Sequence, residues 1–244
     1  MTVPPILQPY GDSALIALFG EEISESSYRR VQGLLEALKA NPPPGLGELI
    51  PAYASLVAAF DPAATDYAAM EREVRNLAEN AADSESPRVR VARVPVCYES
   101  AHAPDLEDVA RHAGLCPEDV VSIHSSKSYL VYMLGFTPGF PYLGGLDERI
   151  AAPRRASPRT KVPAGAVGIA DRQTGVYPLE SPGGWNIIGR TPAILFDPFR
   201  TPPALLAPGM YIRFFPISCP EFSELAAAAE ADRWRPEIVE EERR

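Results

Sequence analysis

Between Leu134 and Pro192 the chain concentrates ten of its seventeen glycines and eight of its twenty-seven prolines. Proline lacks the backbone donor that a helix interior needs, and glycine loses the most conformational freedom on ordering, so this stretch excludes a long helix. Between the turns lie short β-prone runs, among them Tyr129 to Met133 and Ala166 to Ala170. Short strands joined by rigid turns predict a β-barrel whose loops carry function.

Upstream the pattern differs. Ala14 to Phe19 reads as a strand, and from Ser24 to Leu38 the residues Tyr28, Val31, Leu34, Leu35 and Leu38 fall on one helical face before NPPPGLG at 41 to 47 breaks the helix. Two apolar runs, Glu48 to Tyr53 and Ser55 to Phe60, precede a second amphipathic helix carrying Tyr67, Met70, Val74 and Leu77. The small polar segment AADSESP at 81 to 87 has the composition of a linker. The expected organisation is an α+β domain over residues 1–87 and a mainly β barrel domain over residues 88–244. In the second, Arg88 to Val96 alternates as a strand does, and two short helices open at Pro104-Asp105 and at Pro117-Glu118-Asp119. The runs AILFD and MYIRFFPI read as the strands that close the barrel, and the tail from Glu221 reads as a surface helix fraying into EEERR.

Of the 244 residues, 46% are hydrophobic and 23% charged, the balance of an ordinary globular chain rather than a disordered or membrane-spanning one. No signal segment or bilayer-length apolar run is visible, so a cytoplasmic location is expected. A formal net charge of -9 without a basic run disfavours nucleic acid as a partner. Cys97, Cys116 and Cys219 are odd in number and far apart, and His102, His112 and His124 lack metal-ligand spacing, so neither a disulfide framework nor a metal site is expected. A P-loop, a nucleophile elbow and a zincin motif are all missing.

Chemistry-bearing residues cluster in three glycine-proline blocks: GFTPGFPYLGGL at 135 to 146, PRRASPRTKVPAGAVGIA at 153 to 170, and QTGVYPLESPGGWNIIGRTP at 173 to 192. Arg154, Arg155, Arg159 and Arg190 punctuate them, and a guanidinium offers a fork of donors to carboxylate or phosphate oxygens. Gln173, Thr174, Tyr177, Ser181 and Trp185 add hydrogen-bonding and stacking groups of the kind that orient a small polar ligand. Gly139, Gly183 and Gly184, where backbone can approach a ligand closely, complete the expected binding set with Tyr142 and Thr191, although Tyr142 and Phe140 also suit a core. His124, at the end of a short helix just before the first block, is the candidate acid or base beside Arg159 and Arg190.

These three blocks resemble the signature of the carboxyltransferase subdomain C and D family, also called allophanate hydrolase subunit 1. The resemblance extends to YGDSALIALFG, IPAYASLVAAFDP and VPVCYESAHAPDLEDVARHAGL, and so covers nearly the whole chain. It implies a cyclophilin-like barrel after the α+β domain. Members include the B component of 5-oxoprolinase, KipI and the carboxyltransferase part of urea carboxylase. For the first, the resemblance implies ATP, with magnesium as its counter-ion, and partner subunits A and C that together open 5-oxoproline to L-glutamate. For the second it implies inhibition of a sensor histidine kinase by protein contact. For the third it implies carboxylated biotin, disfavoured by the lack of a biotin attachment site. A prolyl isomerase role would rest on fold analogy alone. Two positions depart from the family pattern: glycine is usual where Asp171 stands, and serine is more common at Ala166.

Overall fold

The computed structural model describes residues 4–21, 23–80 and 88–242, and the chain divides into two units, Met1–Ser86 and Pro87–Arg244. The expected linker at 81 to 87 lies outside the described residues.

The first unit runs β1 (Ile6–Pro9), β2 (Ala14–Leu18), α1 (Glu25–Ala40), β3 (Leu46–Pro51), β4 (Ser55–Phe60) and α2 (Tyr67–Asn80). Its four antiparallel strands lie in the order β1-β2-β4-β3. Alternation in β2 and β4 sends Leu15, Ala17, Leu56, Ala58 and Phe60 to one face, where they meet Val31, Leu34 and Leu38 of α1 and Met70 and Val74 of α2. Each fully buried leucine there contributes about 2 kcal/mol from apolar burial. Ser24 caps α1 by accepting from the Ser27 amide, and the helix stops at Asn41, ahead of three prolines.

The second unit contains β5 (Arg88–Cys97), α3 (Leu106–Ala113), α4 (Pro117–Ser125), β6 (Ser128–Leu134), β7 (Pro141–Gly144), β8 (Arg159–Val162), β9 (Ala166–Ala170), β10 (Gln173–Val176), β11 (Ser181–Gly183), β12 (Asn186–Arg190), β13 (Tyr211–Ile217), α5 (Cys219–Glu230) and β14 (Glu237–Glu242). Seven strands close a barrel in the order β12-β9-β10-β7-β6-β13-β5, with β5 returning to β12 where Arg190 faces Cys97. Only β5 and β13 pair in parallel among them. The interior combines Val94, Val96, Tyr129, Val131, Leu143, Val167, Ile169 and Phe214 with Leu106, Val109 and Val120 from α3 and α4. Strands β8 and β11 form a separate two-stranded ribbon. No helix of the described residues is long and apolar enough to cross a membrane.

Several strands lie inside segments that read as turns. Strand β10 contains Gly175, where a Cβ would come within 3.0 Å of both the Phe140 and Trp185 rings. Here glycine marks close packing rather than a corner. Two expectations are corrected. The run AILFD forms no strand, only an isolated bridge from Phe196 to Ala204, and closure is made by β12 instead. The tail does not fray from its helix: after α5 the chain turns back as β14, antiparallel to Arg88–Arg93 of β5. The partner edge carries Arg88, Arg90 and Arg93, and it recruits the glutamates that read as solvated in the sequence.

Candidate functional site

Pro104 and Asp105 open α3, where an acid ordinarily serves the helix N-terminus. Asp105 makes no capping bond with its side chain. It is 1% exposed, and its carboxylate accepts two bonds from Arg159 at 2.8 and 2.7 Å, one from Arg155 at 2.6 Å, and one from the Ile187 amide at 2.7 Å. The Asp105 amide donates in turn to the Ile187 carbonyl at 3.0 Å. Four donors on one buried carboxylate fix both guanidiniums, and the bond to Asp105 raises the Arg159 pKa further. Two guanidinium charges against one carboxylate leave a positive charge over.

That charge has somewhere to act. A cavity of about 390 Å³ is lined by Arg154, Arg155, Ser157, Asn186, Asp108 and His112, among others. The buried Nε of Arg155 has no hydrogen-bond partner among the described residues. Arg154, more exposed, faces Asp171 at 3.6 Å. The segment from Pro153 is pinned on β12 and the turn before it: the Arg155 amide donates to the Gly184 carbonyl at 2.8 Å, and Asn186 Nδ2 donates to the Pro153 carbonyl at 2.9 Å. The second and third glycine-proline blocks are thereby joined.

The first block joins through aromatic rings. Phe140 meets Tyr142, Tyr177 and Trp185 edge-on, with centroids 5.1, 5.3 and 5.5 Å away. Tyr177 accepts a hydrogen bond from the Trp185 amide, and burial pushes its phenol pKa up. Gly183 is glycine because a Cβ would run into the Tyr177 ring. Ser181 Oγ and Thr137 Oγ1 are buried without a hydrogen-bond partner among the described residues. Phe136, which sequence reasoning passed over, is 62% exposed beside Tyr177 at positive φ. A bulky residue held in that backbone region is strained, and such strain is tolerated mainly where the surroundings need the side chain displayed.

The structure thus brings together Arg154, Arg155, Arg159, Tyr142, Tyr177, Ser181, Gly183, Gly184 and Trp185. Others lie apart. His124 is fully buried in the barrel, stacked on Phe214 at 4.8 Å, with Nδ1 2.8 Å from Tyr98 Oη and Nε2 2.9 Å from Thr174 Oγ1. Burial lowers its pKa to about 3. It is a neutral interior group with both nitrogens engaged, which is no position for exchanging protons with a ligand at the surface. Thr174 is equally buried and donates to the Gly168 carbonyl. Gln173 starts β10 opposite Ala170. Thr191 accepts from the Ala193 amide in a local turn, and a Cβ on Gly139 would meet the Phe196 ring. Arg190 binds the Ala164 carbonyl at 2.8 Å and lies over the Phe222 ring, away from Asp105's cluster of bonds.

Asp105 is the residue that sequence reading missed. Its position at a helix start already had a local explanation, so nothing flagged it. The faint signal was the Arg155-x-x-x-Arg159 spacing, which one shared anion can satisfy. Asp171 shows the converse: it has positive φ at the β9–β10 turn, which accounts for glycine being usual there, and aspartate is among the few side chains that tolerate this region.

The family model described as carboxyltransferase domain, subdomain C and D, matches residues 5–206. A Bacillus subtilis (strain 168) protein, named as the B component of 5-oxoprolinase, is 46% identical over 229 residues, covering 89% of this chain and 95% of that one. An Escherichia coli O157:H7 protein of the same name is 44% identical over 207 residues, covering 84% and 93%. The crystal structure of TTHA0988 superposes with a TM-score of 0.72 at 40% identity, over 84% of this chain and 40% of that longer one. With the signature blocks meeting in one place and the match running along most of its length, the chain belongs to the carboxyltransferase domain family, subdomains C and D.

Proposed function

We propose that this chain is the B component of a cytoplasmic, ATP-dependent 5-oxoprolinase, working with A and C subunits to open the lactam of 5-oxoproline to L-glutamate. The reading is supported by the two relatives of that name, which match nearly end to end. The observation that carries it in the structure is the surplus positive charge of Arg155 and Arg159 on Asp105, next to a cavity of about 390 Å³.

A 5-oxoproline molecule carries one carboxylate and one uncharged ring amide. A single net positive charge suits the carboxylate, and the cavity falls within the ordinary range for small ligands. ATP and magnesium fit this chain less well. A triphosphate brings several negative charges, whereas Arg159 and Arg155 are already engaged by Asp105 and Arg154 is paired with Asp171. The group of three potential metal ligands among the described residues is two thiols and an imidazole, which is not magnesium chemistry. The proposal therefore assigns this chain the holding of the lactam's carboxylate and leaves the nucleotide to the assembled complex. Arg155 binds and orients, with Arg159 held beside it on Asp105: fixing the carboxylate sets where the ring amide is presented.

The test is reconstitution. The purified chain alone should release no glutamate from 5-oxoproline and ATP, and addition of the A and C subunits should restore turnover. Full activity from the isolated chain, or none from the three together, would refute the assignment.

A further inference from the structure

Three residues dismissed as metal ligands by their spacing converge in space. Cys97 ends β5, His102 lies in the turn after it, and Cys219 is the first residue of α5, 122 positions beyond Cys97. One ligand atom from each lies within 4.8 Å of the other two, and the two sulfurs are 3.3 Å apart. Around a tetrahedral zinc ion, with bonds of roughly 2.3 Å to sulfur and 2.0 Å to nitrogen, ligand atoms are separated by about 3.3 to 3.8 Å. One ion can reach all three with small adjustments of side chains.

The surroundings are built to hold these groups in place. Cys97 is fully buried, where β5 lies between β13 and the closing strand β12. The His102 ring stacks on Phe222 of α5 at 4.2 Å, and Arg190 lies over the same phenyl ring. The Cys219 amide donates to Glu99 Oε1 at 2.9 Å, so a carboxylate borders the cluster. Ser218 and Glu221 form a reciprocal capping box that fixes the start of α5, and with it the Cys219 thiol. Glu99 also borders a second cavity of about 940 Å³, walled by Tyr98, Ser100, Pro117 and Ile217 among others.

From this geometry we propose that Cys97, His102 and Cys219 bind one thiophilic divalent cation of the zinc type. Two sulfurs and an imidazole select zinc, or cobalt(II) as its spectroscopic substitute, over magnesium or calcium, which take oxygen ligands. Each thiol gives its proton to solvent as its bond to the metal forms. Three protein ligands leave the fourth position to water or to the neighbouring Glu99 carboxylate. Bound there, the ion ties α5 to the seam at which the barrel closes.

The test uses the full chain, reduced, stripped with a chelator and titrated anaerobically with cobalt(II). A near-ultraviolet thiolate-to-cobalt band and tetrahedral visible bands should saturate at one equivalent and disappear when zinc is added. Binding should weaken by roughly 100-fold or more in His102→Ala and in Cys219→Ser, with circular dichroism unchanged. Both residues are partly exposed, so these variants avoid disturbing the buried Cys97. Cys116→Ser, at an exposed thiol elsewhere, should bind as the parent does. Absence of the thiolate band in the parent, or its persistence in both ligand variants, overturns the proposal. So does a Cys97–Cys219 disulfide in the purified chain that, once reduced, still takes up no cobalt.

Discussion

At the scale of single residues, His124 turns burial into a measurable dependence on pH. Its ordinary pKa of 6.5 falls to about 3 in the fold because the charged ring would lose its water. Below pH 6.5 the unfolded chain therefore takes up a proton that the folded chain refuses. Stability is retained above that value and declines as pH drops through the window from 6.5 toward 3. Linkage puts the loss at about 2 kcal/mol between pH 6.5 and about pH 5, with a further loss on the order of 1 kcal/mol per unit beyond. Burial and the nearby Arg190 charge also lower the His102 pKa, which adds to the loss in the same window, whereas Glu99 and Asp147, with lowered carboxylate pKa values, act in that direction only at more acidic pH. Replacement of His124 by phenylalanine should cost about 2 kcal/mol at pH 7 through the bonds lost by Tyr98 and Thr174, and should reduce the slope above pH 5 to the part that His102 supplies. Urea melts of both proteins across this range are the measurement, and an undiminished slope in His124→Phe would show that another group titrates. The same residue shows the limit of sequence reading. A histidine ahead of a glycine-rich block looks identical whether it faces a ligand or a barrel interior, and only long-range packing on Phe214 and Thr174 decides.

At the scale of elements, the regular parts were legible where a local period carried them. The α1 and α2 stripes, the β4 alternation, and the β5 and β9 runs each follow from residues within one turn or one strand. Strands β7, β10 and β12 were hidden because their glycines match turn composition, whereas their roles are set by rings arriving from elsewhere, as at Gly175. Strand β14 was hidden for another reason: EIVEEE is a strand only because β5 presents an arginine edge. Arg213 holds Glu241 through two bonds at 3.1 and 2.9 Å, Arg93 lies 3.6 Å from Glu237, and Ile238 packs on the core. Ending the chain at Arg235 should leave the barrel closed through β12, yet turn the Arg88–Arg93 half of β5 into an open edge. The expected result is loss of amide protection in that half together with concentration-dependent self-association. Hydrogen exchange and sedimentation would check it, and full protection in the shortened chain would mean that β14 adds nothing to β5.

For the whole molecule, the proposed function makes the Asp105 cluster a place for holding the substrate rather than for its chemistry. A buried carboxylate holding two arginines is a weak source of net stability, because desolvating the charges offsets much of their attraction. Its value lies in fixing donors before a ligand arrives. Arg155 is the better probe of the pair: Arg159 makes two bonds to Asp105, while Arg155 makes one and keeps a buried Nε without a partner among the described residues. In the reconstituted complex, Arg155→Gln should raise KM for 5-oxoproline about 10- to 100-fold, the worth of one charge-assisted bond, with kcat changing far less. Arg190→Gln, remote from Asp105's bonds, should leave KM unaltered. Steady-state kinetics at saturating ATP distinguish the outcomes. A fall in kcat at constant KM would move Arg155 from holding the carboxylate to stabilising the reacting amide, and unchanged values of both would take the cavity beside it out of substrate binding.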